Sequence, residues 1–105
     1  MGETVRPYVR EKVELLYSLD NPPPKEPPRE LQMTNPGVWR VLAMWWYDHQ
    51  PDAGGKFCRN CGRWYPCPTV ISADNGFRTA FRHARDRLRR ARGVAQVLHA
   101  KARNV

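Results

Sequence analysis

The stretch Cys58-Arg-Asn-Cys61-Gly-Arg-Trp-Tyr-Pro-Cys67-Pro-Thr69 holds all three cysteines of this 105-residue chain. They are spaced C-x2-C and C-x5-C, and Gly62 follows the second cysteine. Such a turn directs backbone N–H groups at the sulfur atoms, and glycine permits the positive φ that the turn often needs. Because three cysteines cannot all pair in disulfides within one chain, the spacing predicts a metal site in a reducing compartment.

A tetrahedral metal site needs a fourth ligand beside three thiolates, and a histidine nitrogen usually supplies it. His49 is the first candidate, because a compact loop could return it to a metal held by Cys58. His83 is the alternative, and a site without a fourth protein ligand is the third option. We predict a structural Zn²⁺, with an iron–sulfur cluster as the second choice. The predicted ligands are His49, Cys58, Cys61 and Cys67.

The motif carries two resemblances. From His49-Gln-Pro to the ending Tyr-Pro-Cys67-Pro-Thr69, about a fifth of the chain, it resembles a group of small, mostly uncharacterised proteins of actinobacteria and their phages. That resemblance implies a small metal-binding protein and no particular activity. The C-x2-C-x5-C spacing also resembles the last three cluster cysteines of WhiB-like iron–sulfur regulators, which have basic, DNA-binding tails. This chain lacks their first cysteine, for which His49 could stand in, and their G-[VI]-W-G-G turn after the cysteines.

Catalysis at this metal is not predicted. A catalytic zinc keeps an open coordination position near an acid or base, whereas a three-thiolate site is a weak Lewis acid. No acidic residue lies between Cys58 and Cys67, and no H-x-E element of the zinc deaminases is present. We therefore expect a non-enzymatic protein in which the metal holds the fold.

Residues 1–33 are predicted to form an N-terminal helix and a proline-rich arm, ahead of a zinc-knuckle domain over residues 34–105. Apolar residues at helical spacing indicate a short amphipathic helix over residues 7–19. The run NPPPKEPPRE over residues 21–30 favours an extended polyproline II conformation, since proline has no N–H to donate. It is interpreted as a stiff spacer, with a ligand for a proline-reading domain as the alternative.

Two further helices are predicted. Thr34-Asn35-Pro36 is typical of a helix start, and the helix over residues 36–48 is apolar on nearly every side, which suits a core or an interface. After a helical turn at residues 70–73, Asp74-Asn75-Gly76 indicates a break or a cap. A helix over residues 75–102 follows, in which Gly93 allows a bend. Its apolar stripe is Phe77, Phe81, Ala84, Leu88, Ala91, Ala95, Leu98 and Ala102.

The positive charge is concentrated in the last third of the chain. Residues 1–72 carry nine Lys/Arg and eight Asp/Glu, a net of +1, whereas residues 73–105 carry nine and two, a net of +7. Arginines beside the apolar stripe repel one another, and Asp86 is expected to relieve part of this repulsion. Phosphate is the simplest use for such an arginine stripe. Its members are Arg78, Arg82, Arg85, Arg89 and Arg92.

These features predict a small α-rich domain with three main helices around a zinc knuckle. The predicted function is that of an accessory or regulatory protein of phage origin that binds DNA or RNA through the arginine stripe, extended by Arg63 and Trp64. The alternatives are a module that docks on an acidic protein, such as a host transcription complex, and a WhiB-like regulator. Without a membrane segment or signal peptide, a cytoplasmic location is expected, and homo-oligomerisation stays open.

Overall fold

The computed structural model describes residues 13–103, with side chains up to Val97 except that of Ala95. A 3-10 turn at Arg29–Leu31 precedes two helices, α1 at Pro36–Asp48 and α2 at Pro68–Arg103. No regular strand occurs within residues 13–103, so the prediction of a small α-rich protein is confirmed. In the same range, no helix combines the length and the apolar character needed to cross a membrane.

Helix α1 has the bounds that the sequence predicts, with Pro36 in its first turn. One of its faces is buried in the core, as predicted, and the other lies at the surface. The buried side chains are Trp39, Leu42, Ala43 and Trp46. The large exposed side chains are Val38, Val41, Met44 and Trp45.

The two helices run antiparallel, and the core lies between them. Trp39, in the first half of α1, packs on Phe77 of α2 with ring centroids 4.5 Å apart. At the other end, His49 follows α1 and lies beside Cys67, which directly precedes α2. Val70 completes the core next to the cysteines and is fully buried.

The helix predicted over residues 7–19 is wrong for its last part. Residues 13–19 are not helical, and residues 7–12 lie outside the described residues. Helix α2 binds this segment, because the carboxylate of Asp74 accepts the N–H of Leu16. The three-helix arrangement is therefore not confirmed. The N–H of Leu16, which a helix would pair within the segment itself, is paired with a side chain of α2 instead.

The break predicted at Asp74-Asn75-Gly76 is also wrong, because α2 runs without interruption from Pro68 through Gly93. A Cβ atom at Gly76 would lie 2.6 Å from Leu42 Cδ1, so this glycine lets the two helices approach closely. Asp74 is buried, and its carboxylate binds Arg78 Nε at 2.7 Å. Both residues serve packing between distant segments, which a local pattern of turn residues does not reveal.

The proline-rich segment lies along α1 and presents carbonyl oxygens to it. Trp39 Nε1 donates to the carbonyl of Pro24 at 2.8 Å, and the Tyr47 hydroxyl donates to the carbonyl of Pro23 at 2.6 Å. An ion pair joins Arg40 to Glu26. Because Pro23 is itself buried, this segment is part of the packed body.

Helix α2 has a packed part, Pro68–Arg87, and an exposed part that begins at Leu88. At the end of the packed part, the guanidinium of Arg87 donates to the carbonyl of Leu31. Every described side chain from Leu88 to Val97 is exposed, and 58% of Leu88 is accessible. With 36 residues, α2 is about 54 Å long, so its exposed part is a substantial projection.

Candidate metal centre

Four potential metal ligands meet between the ends of the two helices. One ligand atom from each lies within 4.8 Å of all the others. The set comprises the histidine after α1, two cysteines of the connecting loop and the cysteine before α2. The structure thus brings together the whole set that the sequence predicts: His49, Cys58, Cys61 and Cys67.

Backbone hydrogen bonds shape the connecting loop around the sulfur atoms. The N–H of Gly62 donates to the carbonyl of Cys58 at 2.9 Å, and the N–H of Cys58 donates to the carbonyl of Arg63 at 2.7 Å. Gly62 has a φ of +73°, as its place after the second cysteine predicts. An antiparallel bridge between Pro51 and Cys58 ties this turn to the chain leaving α1.

The separations between ligand atoms suit a tetrahedral ion. His49 Nδ1 lies 3.4 Å from Cys58 Sγ and 3.5 Å from Cys67 Sγ. Zinc–sulfur bonds of about 2.3 Å and zinc–nitrogen bonds of about 2.0 Å in a tetrahedron separate sulfur from nitrogen by about 3.5 Å. These two distances, together with the mutual proximity of all four ligand atoms within 4.8 Å, are compatible with a metal such as zinc.

The electrostatics of the thiols favour a bound cation. Burial raises the pKa of Cys58, but hydrogen bonds from the N–H groups of Cys61 and Asn60, from the Cys61 side chain and from His49 outweigh it. The pKa of Cys58 falls from an ordinary 9.0 to about 7. Burial raises the pKa of Cys67, and hydrogen bonds with the side chains of Cys58 and Cys61 raise it further. N–H groups at the start of α2 act in the opposite direction and lower it. The cluster thus accommodates one thiolate readily and several only with a positive charge among them.

Gln50 and Tyr65 connect the loop between the two helices, residues 49–67 and called the metal loop below, to α1. Gln50 is buried, its amide N–H donates to the carbonyl of Trp46, and its Oε1 accepts the Tyr65 hydroxyl at 3.4 Å. Burial raises the pKa of Tyr65, and the nearby sulfur atoms and a carboxylate raise it as well. Gln50 is not among the residues that the sequence predicts for the site, because its only signal is its position next to His49.

His83 does not belong to the ligand group. It lies on α2 at a groove that is also lined by Met33, Asn35 and Arg87. Among the described residues, the histidine that lies with the three cysteines is His49. Of the two histidines that the sequence leaves open, only His49 lies next to the cysteines.

The residues predicted to contact a partner fall into two groups. Arg63 and Trp64 belong to the metal loop, whereas the arginine stripe begins at Arg78 and runs away from the cysteines. An α-helix rises about 1.5 Å per residue, so Arg89 lies about 30 Å along α2 from Pro68. The far end of the stripe is therefore well removed from the start of α2 at the cysteines.

The arginine stripe is itself uneven. Arg78 is bound to the carboxylate of Asp74 and donates to the carbonyl of Glu14. Asp86, which the sequence predicts to relieve the repulsion, forms no ion pair with a residue in the range 13–103. The remaining stripe residues are exposed and form no salt bridge within that range: Arg82, Arg85, Arg89 and Arg92.

Comparisons of this chain with protein-family models, with curated proteins and with solved structures find no match. The resemblances to small actinobacterial and phage proteins and to WhiB-like regulators stay predictions from the cysteine motif. Function is therefore inferred from the geometry and charge of the described residues.

Proposed function

We propose that this protein binds nucleic acid through the arginine stripe of α2, on a fold held together by a structural zinc ion. The carrying observation is a row of exposed guanidinium groups on successive turns, without a carboxylate partner among residues 13–103. The row comprises Arg82, Arg85, Arg89 and Arg92. It spans the end of the packed part of α2 and the beginning of the exposed part.

Phosphate offsets the repulsion within this row. Like charges at i,i+3 and i,i+4 destabilise a helix by about 0.2–0.5 kcal/mol per pair. Guanidinium forks match phosphate oxygens, and the release of condensed counterions drives basic surfaces onto nucleic acid. In the exposed part of α2 no described contact counters the repulsion, so an anionic partner has the greatest effect there.

Zinc has a structural role in this proposal. Four protein ligands complete a tetrahedral site, whereas a catalytic zinc keeps one position for water or substrate. The mutual proximity of the four ligand atoms also supports a single ion, since the ligands of a cluster bind different iron atoms. The protein is accordingly proposed to be non-enzymatic.

Metal analysis of the purified full-length protein tests the structural part. We expect one zinc per chain and a colourless solution. Visible absorption accompanied by iron and sulfide would contradict the zinc assignment and favour the WhiB-like alternative. Replacement of zinc by cobalt should give the absorption of a tetrahedral thiolate site, and the variant His49→Ala should alter it.

A salt titration tests nucleic-acid binding. Four phosphate contacts predict a slope of about −3 to −4 for the logarithm of the binding constant against that of the salt concentration. Replacing the four unpaired stripe arginines by alanine should flatten that slope. The control is Arg90→Ala, which removes one exposed arginine outside the stripe and should change the slope by less than the single stripe variant Arg89→Ala does. No binding at low salt would contradict the proposal.

A protein partner is the second candidate, and the outer face of α1 favours it. Contiguous exposed apolar side chains mark interaction surfaces more often than isolated ones do. Met44 and Trp45 lie on this face, together with Val38 and Val41, one turn apart. If this face docks on a protein, the variant Met44→Glu should abolish capture of that partner from nuclease-treated lysate, while the arginine variants should weaken it less.

A further inference from the structure

The arginine stripe borders an open groove with an aromatic floor. The groove has a volume of about 360 Å³ and lies between the N-terminal segment and α2. This volume falls in the lower part of the range for small-ligand sites, about 300–1,000 Å³. Its lining residues are Leu16, Arg78, Phe81, Arg82 and Arg85.

The ring of Phe81 is held in place and partly open to solvent. Its edge packs against Trp39 at a centroid distance of 6.1 Å and an interplanar angle of 78°. Yet 39% of Phe81 remains accessible, although the apolar periodicity predicts a core residue there. A fixed, accessible ring offers a planar group a stacking surface at little entropic cost.

The guanidinium groups around this ring differ in their availability. Arg78 is neutralised by Asp74 and fixed by the carbonyl of Glu14. Arg82 and Arg85 are exposed and form no salt bridge within the described part of the chain. Arg82 directly follows Phe81, and Arg85 lies about one turn after it. The groove therefore offers two cationic groups next to one aromatic surface.

We propose that this groove binds single-stranded nucleic acid, with one base stacked on Phe81 and the flanking phosphates on Arg82 and Arg85. The inference rests on the proposed function and specifies its substrate. A paired base keeps both faces within the stack of the duplex, so only an unpaired base can cover the ring. The apolar contribution of Leu16 suits the same planar group.

The test compares fluorescence anisotropy of the full-length protein with a labelled 12-nucleotide oligo(dT) and with its duplex on oligo(dA). We expect tighter binding of the single strand. The variant Phe81→Leu keeps an apolar side chain against Trp39 and should weaken single-strand binding by about 5-fold or more. Duplex binding should change little. Phe81→Tyr retains the ring and should restore single-strand affinity.

Arginine variants supply the second arm. Arg82→Ala should lower the salt slope on the single strand by about 0.7, the share of one phosphate contact. Arg90→Ala is the matched control and should leave affinity for the single strand within about 2-fold, with a smaller change in slope. A thermal melt of each variant confirms that the fold is intact before its affinity is compared.

Photocrosslinking of the wild-type chain avoids any dependence on folding of the variants. Oligo(dT) containing 5-bromodeoxyuridine should crosslink to the peptide that contains Phe81. Crosslinks confined to other peptides, or equal affinity for single strand and duplex with no effect of Phe81→Leu, would overturn this inference and leave the proposed function standing. Failure to bind either form of DNA, or the corresponding RNA strands, would overturn both.

Discussion

The packed and exposed parts of α2 belong to one helix and are stabilised in different ways. The packed part lies against α1, the N-terminal segment and the metal loop, and Val70, Ala73 and Phe77 are fully buried. The exposed part continues with the same apolar periodicity, yet its described side chains are accessible to solvent. The exposed part has 16 residues, only just above the length of about 12–15 residues below which isolated helices are marginal in water. Continuity with the packed part therefore stabilises the start of the exposed part. A bound partner would stabilise the helix most near its end.

Metal removal should have the largest effect, because it should destabilise both the packed and the exposed part of α2. Apparent zinc binding contributes about 10–16 kcal/mol in small modules, as much as the whole net stability of a typical domain. If the chain binds zinc as proposed, chelation or Cys67→Ser should abolish most of the helical circular dichroism, since the exposed part loses the helix that it extends. Adding zinc back to the chelated wild type should restore the signal. A verified metal-free protein with an unchanged melting curve would contradict the structural role.

Equivalent apolar truncations should distinguish the two parts. Phe77 and Leu88 both belong to the apolar stripe, but Phe77 is fully buried and Leu88 is mostly exposed. Phe77→Ala should reduce the free energy of unfolding by about 3–5 kcal/mol. Leu88→Ala should change it by no more than about 0.5 kcal/mol. Urea denaturation measures both, and comparable losses would show that Leu88 is covered in solution.

The buried carboxylate of Asp74 should have the next largest effect. It accepts the N–H of Leu16 and binds Arg78, so Asp74→Ala leaves a backbone donor and a guanidinium without their partner. The expected loss is about 1–3 kcal/mol in the free energy of unfolding. Asp86→Ala is the control, since Asp86 forms no ion pair within residues 13–103, and should change stability by about 0.5 kcal/mol or less. Equal effects would contradict anchoring of the N-terminal segment by Asp74.

Two glycine substitutions in α2 should give opposite signs. A Cβ atom at Gly76 would lie within 3.2 Å of three atoms of Leu42, and overpacking costs about 1–3 kcal/mol. Against a gain of about 1 kcal/mol in helix propensity, the expected net loss is up to about 2 kcal/mol. A Cβ atom at Gly93 would meet no other atom within 4 Å, so Gly93→Ala should only gain propensity. We expect Gly76→Ala to lower the urea midpoint and Gly93→Ala to slow amide exchange around residue 93. Stabilisation by both would mean that α1 and α2 separate easily.

The features that the sequence predicts correctly are those that depend on residues close together in the chain. Helix α1 is correct in both bounds because its proline start and dense apolar run are local signals. The grouping of the four candidate metal ligands follows from the cysteine spacing and from the position of His49 just before the loop. Local signals were misleading at Asp74 and Gly76, whose roles depend on contacts with residues far away in the chain.

The apolar periodicity of α2 does not show how far along this helix the rest of the chain packs against it. The apolar stripe of α2 repeats across both of its parts. The 3-10 turn contacts α2 at Arg87, and every described side chain from Leu88 to Val97 is exposed. The same limit explains Phe81, which has the spacing of a core residue and lies at a groove. Predicting either feature requires knowing how α1 is placed along α2.

The four tryptophans differ in exposure, so their intrinsic fluorescence can report on different parts of the structure. Trp39 and Trp46 are shielded from solvent, whereas Trp45 and Trp64 are accessible, so acrylamide should quench the emission of the second pair first. Trp39 also donates its indole N–H to the carbonyl of Pro24. Detachment of the proline-rich segment should therefore shift the emission of Trp39 to longer wavelength, and loosening of this segment can be followed without any attached dye.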